Sequence, residues 1–175
     1  MSSFGIDGYE PRWLNGARSI RTAHGRRLHA MTGRPLSRIW LLWDVDADEW
    51  FADGPVLLDF DGEQVEVDHQ KFDDLSITWN TVDPAGSTTW TDGDDPDHAL
   101  HLRWRDDALP GLTALHGRRL DRVELLECVV PDLANGMVAP SFVLAHDRVT
   151  ISNALDENGI EFGAPGPGYR TLSLA

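Results

Sequence analysis

A histidine followed closely by carboxylates stands in the segment VDHQKFDD, where Asp73 and Asp74 come shortly after His69. Such a group can do general acid or base chemistry if its surroundings bring the imidazole pKa near working pH. A similar segment later in the chain, ISNALDEN, keeps an acidic pair but has no counterpart of the histidine. A repeated acidic pair after a strand is more typical of a turn or a cap than of catalysis. We therefore assign no catalytic residue, and His69, Asp73 and Asp74 are the only candidates.

A second pattern with chemical meaning is LLWDVDADEW, in which Asp44, Asp46 and Asp48 alternate as at the start of a calcium loop. A helix-loop-helix calcium loop needs glycine at its sixth position and a bidentate glutamate at its twelfth, where this chain has Glu49 and Pro55. Alternate residues of a strand project to one side. The sequence therefore predicts an acidic strand end and hairpin loop here, and no metal site.

A third group is the pair His98 and His101 in HALHLRW. Residues three apart fall on opposite faces of a strand, so we do not expect them to bind one metal together. They could still form an oxygen-rich cation site with the aspartates around them, but a solvated acidic linker is the favoured interpretation because clustered like charges usually face water. These aspartates are Asp92, Asp94, Asp95 and Asp97.

The motifs of familiar enzymes are missing from the chain: the nucleophile elbow, the P-loop, the dinucleotide fingerprint, HExxH and paired CxxC. Cys128 is the single cysteine, which excludes an internal disulfide, and its place late in an apolar strand predicts a buried, inert thiol. We expect no cofactor and lean against enzymatic activity.

The segment GRPLSRIWLLWDVDAD from Gly33 matches GRRLDRVELLECVVPD from Gly117, at an offset of 84 residues. The alternation of apolar residues continues in phase and pairs Leu58 with Phe142. One residue is then lost, and FDDLSITW matches LDENGIEF. The sequence thus predicts a tandem duplication.

Each copy has the pattern of four short antiparallel strands. In the first copy, Asp61-Gly62 between alternating runs indicates a tight hairpin, and Glu66 and Asp68 alternate with valines as outward-facing residues. Two such units can cover one another, so we expect a mostly β fold: a pseudo-twofold β-sandwich or barrel with minor helix. The expected segments of one compact domain are a basic N-terminal segment with a short helix (1–32), the first β repeat (33–80), an acidic connection with an edge strand and a short helix or loop (81–116), the second β repeat (117–163) and an extended tail (164–175).

The charge is uneven along the chain, whose formal net charge is −14. The first 38 residues have seven arginines against two acids, which gives +5, whereas residues 39–99 have seventeen acids against Lys71, which gives −16. Arginines far outnumber lysines, as GC-rich bacterial genomes favour, and such genomes often encode acidic proteins, so part of the excess fits genomic background. A field this negative disfavours nucleic acid. No run is long enough for a membrane helix, and we expect a cytoplasmic protein with no membrane partner.

The first copy also has tryptophans where the second has other residues. Aromatic anchors inside a charged rim are typical of binding hot spots. Trp79 aligns with Phe162 and is interpreted as a core residue, whereas Trp40 and Trp50 are the candidates for the surface. The candidate binding residues are Trp40, Trp50, Asp44, Asp46, Asp48, Glu49 and Asp53.

We therefore expect a noncatalytic, acidic protein-binding module with a basic protein as partner, for example an immunity or antitoxin-type protein. The alternative is a small-molecule-binding β-barrel, which as an enzyme would use His69 and nearby carboxylates. A filled interior would count against that alternative. An interaction scaffold without a ligand is a third interpretation that the sequence does not separate from the first.

Overall fold

A computed structural model describes residues 3–91 and 96–174 of the chain. The fold is mostly β, as the sequence predicts, with one helix of several turns. The strands are β1 (Trp13–Leu14), β2 (Arg38–Asp44), β3 (Glu49–Trp50), β4 (Val56–Phe60), β5 (Glu63–Gln70), β6 (Asp74–Trp79), β7 (Ser87–Thr91), β8 (Ala99–Arg105), β9 (Arg122–Cys128), β10 (Val138–Leu144), β11 (Asp147–Asn153), β12 (Asn158–Phe162) and β13 (Tyr169–Ser173). The helices are α1 (Ala17–Ala30) and α2 (Pro110–Thr113), with 3-10 turns at Ser3–Gly5 and Pro96–His98.

The strands form two antiparallel sheets. The first has eight strands in the order β1-β6-β5-β4-β2-β8-β7, with β3 paired to β2, and the second has five in the order β12-β11-β10-β9-β13. Apolar residues of both sheets share one hydrophobic core, as in a β-sandwich. Phe60 and Phe142 stack at the centre of this core, with ring centroids 5.6 Å apart. Side chains therefore fill the space between the sheets.

The two units correspond in register at the offset seen in the sequence. In β4 and β5, Leu58 lies opposite Val65, and in β10 and β11, Phe142 lies opposite Val149. The two glycines also occupy equivalent places, with φ of 87° at Gly33 and 85° at Gly117. The origin of this correspondence in a duplication stays a prediction.

The backbone contacts between the units are reciprocal at these glycines. The N–H of Gly33 donates to the carbonyl of Leu120 over 2.7 Å, and the N–H of Gly117 donates to the carbonyl of Leu36 over 2.6 Å. Each donor and each acceptor has its counterpart 84 residues away. The two units thus meet about a local pseudo-twofold axis.

Each unit contains a fifth strand that the sequence assigns differently. Strand β8, predicted at an edge, lies inside the first sheet between β2 and β7. The tail, predicted as an extended appendage, includes β13, which pairs with β9 as β8 pairs with β2. The predicted acidic connection contains β7, while Asp92, Asp94 and Asp95 lie outside the described residues. These short strands are set by pairing with distant strands rather than by their own pattern.

The predicted N-terminal helix is α1, which begins after Gly16 and buries Ile20 and Leu28 in the main core. The segment before α1 covers the other face of the first sheet. Ile6 and Tyr9 are buried there in a second apolar cluster with residues of β2, β4 and β8. That cover contradicts the prediction that Glu66 and Asp68 face outward, since both side chains are buried.

Candidate functional site

The acidic turn between β2 and β3 is partly a structural feature. Asp44 is only 7% exposed, and its carboxylate accepts the backbone N–H groups of Asp46 at 3.0 Å and Ala47 at 3.1 Å. Aspartate commonly closes turns in this way. Asp44 therefore holds the turn and does not present its carboxylate to a partner.

The other acids of this turn are exposed but have internal contacts. A carboxylate oxygen of Asp46 lies 2.6 Å from Nδ1 of His101. Asp48 accepts a hydrogen bond of 3.0 Å from Nε1 of Trp43 and lies 3.8 Å from the Arg105 guanidinium. Glu49 is exposed next to them. These contacts reduce the negative field of the turn without removing it.

The two tryptophans proposed for binding lie in different places. Trp40 packs against the second cluster, and its Nε1 donates to Asp59 over 2.9 Å. Trp50 packs against the main core between the sheets. Because these clusters lie on opposite faces of the first sheet, Trp40 and Trp50 do not form one surface.

The three candidate catalytic residues do not form an acid–base unit. His69 is 2% exposed, and its Nε2 lies 2.9 Å from the carbonyl oxygen of Ile151, so Nε2 carries the proton. Burial lowers the pKa of His69 to about 4 and keeps the ring neutral. Asp73 is exposed, and the buried carboxylate of Asp74 accepts a 3.1 Å hydrogen bond from Gln70 instead.

A buried carboxyl group that the sequence interpretation placed outside is the centre of a polar network. Asp68 is 1% exposed; it accepts a 2.8 Å hydrogen bond from the Tyr9 hydroxyl and a 2.9 Å bond from Nδ2 of Asn158. Burial raises its pKa to about 7, against the opposing effect of these hydrogen bonds. Oδ1 of Asn158 accepts the backbone N–H of His69 over 2.9 Å, so the network joins both units.

A cavity of about 280 Å³ opens beside this network, which we call the Asp68 cavity. Its wall combines aromatic rings with carboxyl groups. The wall includes Phe4, Trp13, Asp53, Asp68, His69, Gln70 and Asp156. Burial and the nearby charge of Asp156 raise the pKa of Asp53.

Next to the cavity, the tips of two hairpins meet across the units. The Asp156 backbone N–H donates to the Lys71 carbonyl over 2.9 Å, and the Asp156 carboxylate accepts the Lys71 backbone N–H. The adjacent apolar residues are exposed, Phe72 by 45% and Leu155 by 70%. We call Phe72, Asp73, Leu155 and Asp156 the hairpin-tip surface. Sequence matching had already aligned Phe72 with Leu155, but nothing in the pattern showed that their turns touch.

The remaining predicted features occupy ordinary structural places. Cys128 is a free, buried thiol, as predicted. Arg27 of the basic N-terminal segment pairs with Glu63 at 2.7 Å and stacks on Trp79. Within residues 3–91 and 96–174, no group of three or more His, Cys, Asp or Glu side chains could hold a metal ion.

Comparisons of the chain with protein-family models, with curated proteins and with solved structures find no match. Across the described ranges, no helix has the length and apolar character needed to cross a bilayer.

Proposed function

We propose that this protein is a noncatalytic, acidic binding module whose partner is a basic protein. The observation that carries the proposal is the surplus of exposed carboxylates around the first unit and at its junction with the second. Of the acids that the structure describes between residues 39 and 91, four are buried, namely Asp44, Glu66, Asp68 and Asp74. Several others remain exposed, including Asp46, Asp48, Glu49, Asp53 and Asp73. The segment's own cation is Lys71 alone.

The physical effect of such a surface is on encounter and selectivity. A concentrated negative field attracts a positively charged protein, raises the association rate and repels nucleic acid and other acidic molecules. Apolar side chains inside the charged rim then slow dissociation. An immunity or antitoxin-type protein that blocks a cationic toxin is an example of this class.

The filled space between the sheets disfavours the alternative of a barrel that encloses a small molecule. Phe60 and Phe142 occupy the centre where such a ligand would lie. His69, the candidate acid or base of that alternative, is neutral and hydrogen-bonded to a backbone carbonyl. Both observations support binding through the outer surface without catalysis.

The test begins with low-salt capture of partners from a lysate of the source cells, followed by purification of each captured protein. Binding of the purified pair is then measured at about 50 mM and about 500 mM salt, conditions that differ strongly in charge screening. We expect a basic partner whose association rate falls markedly at high salt, because screening removes the steering field. A partner of neutral or acidic charge, or an affinity that is equal at both salts, would reject the proposal.

A variant pair makes this experiment specific. Asp46→Lys combined with Glu49→Lys reverses exposed charge on the first unit, while Asp132→Lys changes an exposed loop of the second unit. We expect the double variant to slow association by more than twice the effect of the single control, since steering depends on where charge lies as well as on its sum.

A further inference from the structure

We infer that the Asp68 cavity receives a basic side chain, an arginine or a lysine of the partner, while the hairpin-tip surface packs against the residues beside that side chain. This inference rests on the proposed function and names the place where the basic partner docks. It uses a cavity, two aromatic rings and two exposed apolar residues, so it does not depend on negative charge alone.

The charge of the cavity suits a cation. Carboxyl groups of Asp53, Asp68 and Asp156 lie in its wall, and none of the wall residues is a lysine or an arginine. Asp53 and Asp156 supply the negative charge, because burial raises the pKa of Asp68 to about 7 and Asp68 holds a proton below that pH. Burial raises the pKa of Asp53, and repulsion by the nearby charge of Asp156 adds to this effect. A cation placed between them would relieve this repulsion.

The aromatic part of the wall favours the same ligand. Phe4 and Trp13 line the cavity beside the acids. A guanidinium or ammonium group is attracted to the face of an aromatic ring, most strongly to that of tryptophan. A site that combines aromatic faces with carboxylates therefore selects an organic cation over a simple metal ion, which would require several converging oxygen ligands.

The volume suits a single side chain. At about 280 Å³ the cavity lies just below the roughly 300–1,000 Å³ typical of small-molecule sites. One long basic side chain is a suitable occupant.

The rim explains why the cation would belong to a protein. Phe72 and Leu155 are exposed apolar residues on two turns that the Lys71–Asp156 contact holds together. Asp156 belongs to both the rim and the cavity wall, so the two features are continuous. An anchoring pocket beside apolar contacts and within an acidic rim has the anatomy of a protein-binding hot spot.

The other acidic surface, the turn between β2 and β3, is less suited to anchoring a cation. Its carboxylates are engaged by Trp43, His101 and Arg105. We therefore assign that turn to steering and the cavity to anchoring.

The inference is tested with a defined probe, the blocked tripeptide acetyl-Leu-Arg-Leu-amide, and with its uncharged citrulline analogue. Binding to the ¹⁵N-labelled protein is followed by NMR at low salt, through the Trp13 indole and the Gln70 side-chain amide. We expect the arginine peptide to shift both signals and the citrulline peptide to bind about tenfold more weakly, because it lacks the charge. Shifts spread over the whole acidic surface, or no shift near Trp13, would overturn the inference.

A matched pair of variants adds a second criterion. Asp53→Asn removes a carboxylate of the cavity, whereas Asp61→Asn removes one from an exposed turn where φ is 50° and asparagine is well tolerated. We expect Asp53→Asn to weaken binding of the arginine peptide about fivefold, because it removes one of the carboxylates beside the bound cation. Equal affinities of the two variants would contradict the inference.

The purified basic partner separates this inference from the proposed function. Phe72→Ser and Asp53→Asn should each increase the dissociation rate of that partner, while Asp61→Asn should not. If the partner binds in a salt-dependent way but neither change affects it, the protein is a binding module that docks elsewhere. If only the peptide binds and no basic partner exists, the cavity is a cation site and the proposed function is wrong.

Discussion

Replacing Asp68 by Asn should change how the stability of the protein depends on pH. In the folded state, burial raises the pKa of Asp68 from 3.8 to about 7. Between these values the folded protein holds a proton that the unfolded chain has lost, so the free energy of unfolding falls as pH rises. Each pH unit in this window is worth about 1.4 kcal/mol, and the whole window is worth about 4 kcal/mol.

The neighbouring residue has the opposite effect. Burial lowers the pKa of His69 from 6.5 to about 4, so in that window the unfolded chain binds a proton that the folded protein does not. The free energy of unfolding therefore rises with pH by about 3 kcal/mol through His69. From about pH 4 to about pH 6.5, the effects of Asp68 and His69 nearly cancel.

The assay is urea unfolding of the wild type, Asp68→Asn and His69→Gln at intervals from about pH 4 to about pH 8, with the unfolding free energies extrapolated to water. Relative to the wild type, Asp68→Asn should gain about 4 kcal/mol in unfolding free energy across this range, because the amide is never ionised. The unfolding free energy of His69→Gln should fall by about 3 kcal/mol relative to that of the wild type between about pH 4 and about pH 6.5, because glutamine does not titrate. Other groups with shifted pKa values, such as His24 and His116, are common to all three proteins and drop out of the differences.

A constant difference between Asp68→Asn and the wild type at every pH would refute this reasoning. It would mean that Asp68 is ionised in the folded protein over the whole range, as a carboxylate stabilised by Tyr9 and Asn158 would be. The size of the difference in unfolding free energy between Asp68→Asn and the wild type is not used in the test, because an amide can alter the hydrogen bonds at any pH. Only the change of that difference with pH distinguishes a neutral Asp68 from an ionised one.

Three further changes test the fold. Phe142→Ala should destabilise the protein by about 3–5 kcal/mol in thermal or urea unfolding, because it opens a cavity between the sheets. Phe162→Ala, at a half-exposed ring, should reduce the unfolding free energy much less. Equal losses of stability in the two variants would contradict a shared core. Asp44→Ala should cost about 1–2 kcal/mol by leaving two turn N–H groups without their acceptor, whereas an unchanged midpoint would show that the turn holds without it. Removal of residues 169–174 should expose the edge of β9 and cause concentration-dependent association in light scattering, and a stable monomer would show that the edge is otherwise protected.

The equivalent strands of the two units could be predicted because their signals are local. Apolar residues alternate in both copies with the same phase, so the register survives even where residue types differ. Asp61-Gly62 marks the hairpin between β4 and β5, and both residues have the positive φ that such a turn requires. Repetition of these signals allowed one copy to support the other.

The candidate site could not be predicted in the same way, because its cover comes from distant parts of the chain. Alternation placed Asp68 on the face opposite the valines, which is correct, but it cannot show what lies over that face. Tyr9 covers it from 59 residues away, and Asn158 approaches from the second unit. Charged residues usually face water, so the pattern favoured exposure where tertiary contacts impose burial.

The reciprocal contacts of Gly33 and Gly117 have a consequence for the independence of the two units. The same patch of each unit serves both sides of the junction, which is the geometry of an isologous dimer interface contained within one polypeptide. A unit expressed alone would keep a self-complementary patch with unmatched donors and acceptors. Each unit therefore provides the surface that the other needs. Cleaving the chain between the two units should yield fragments that reassociate rather than two separate domains.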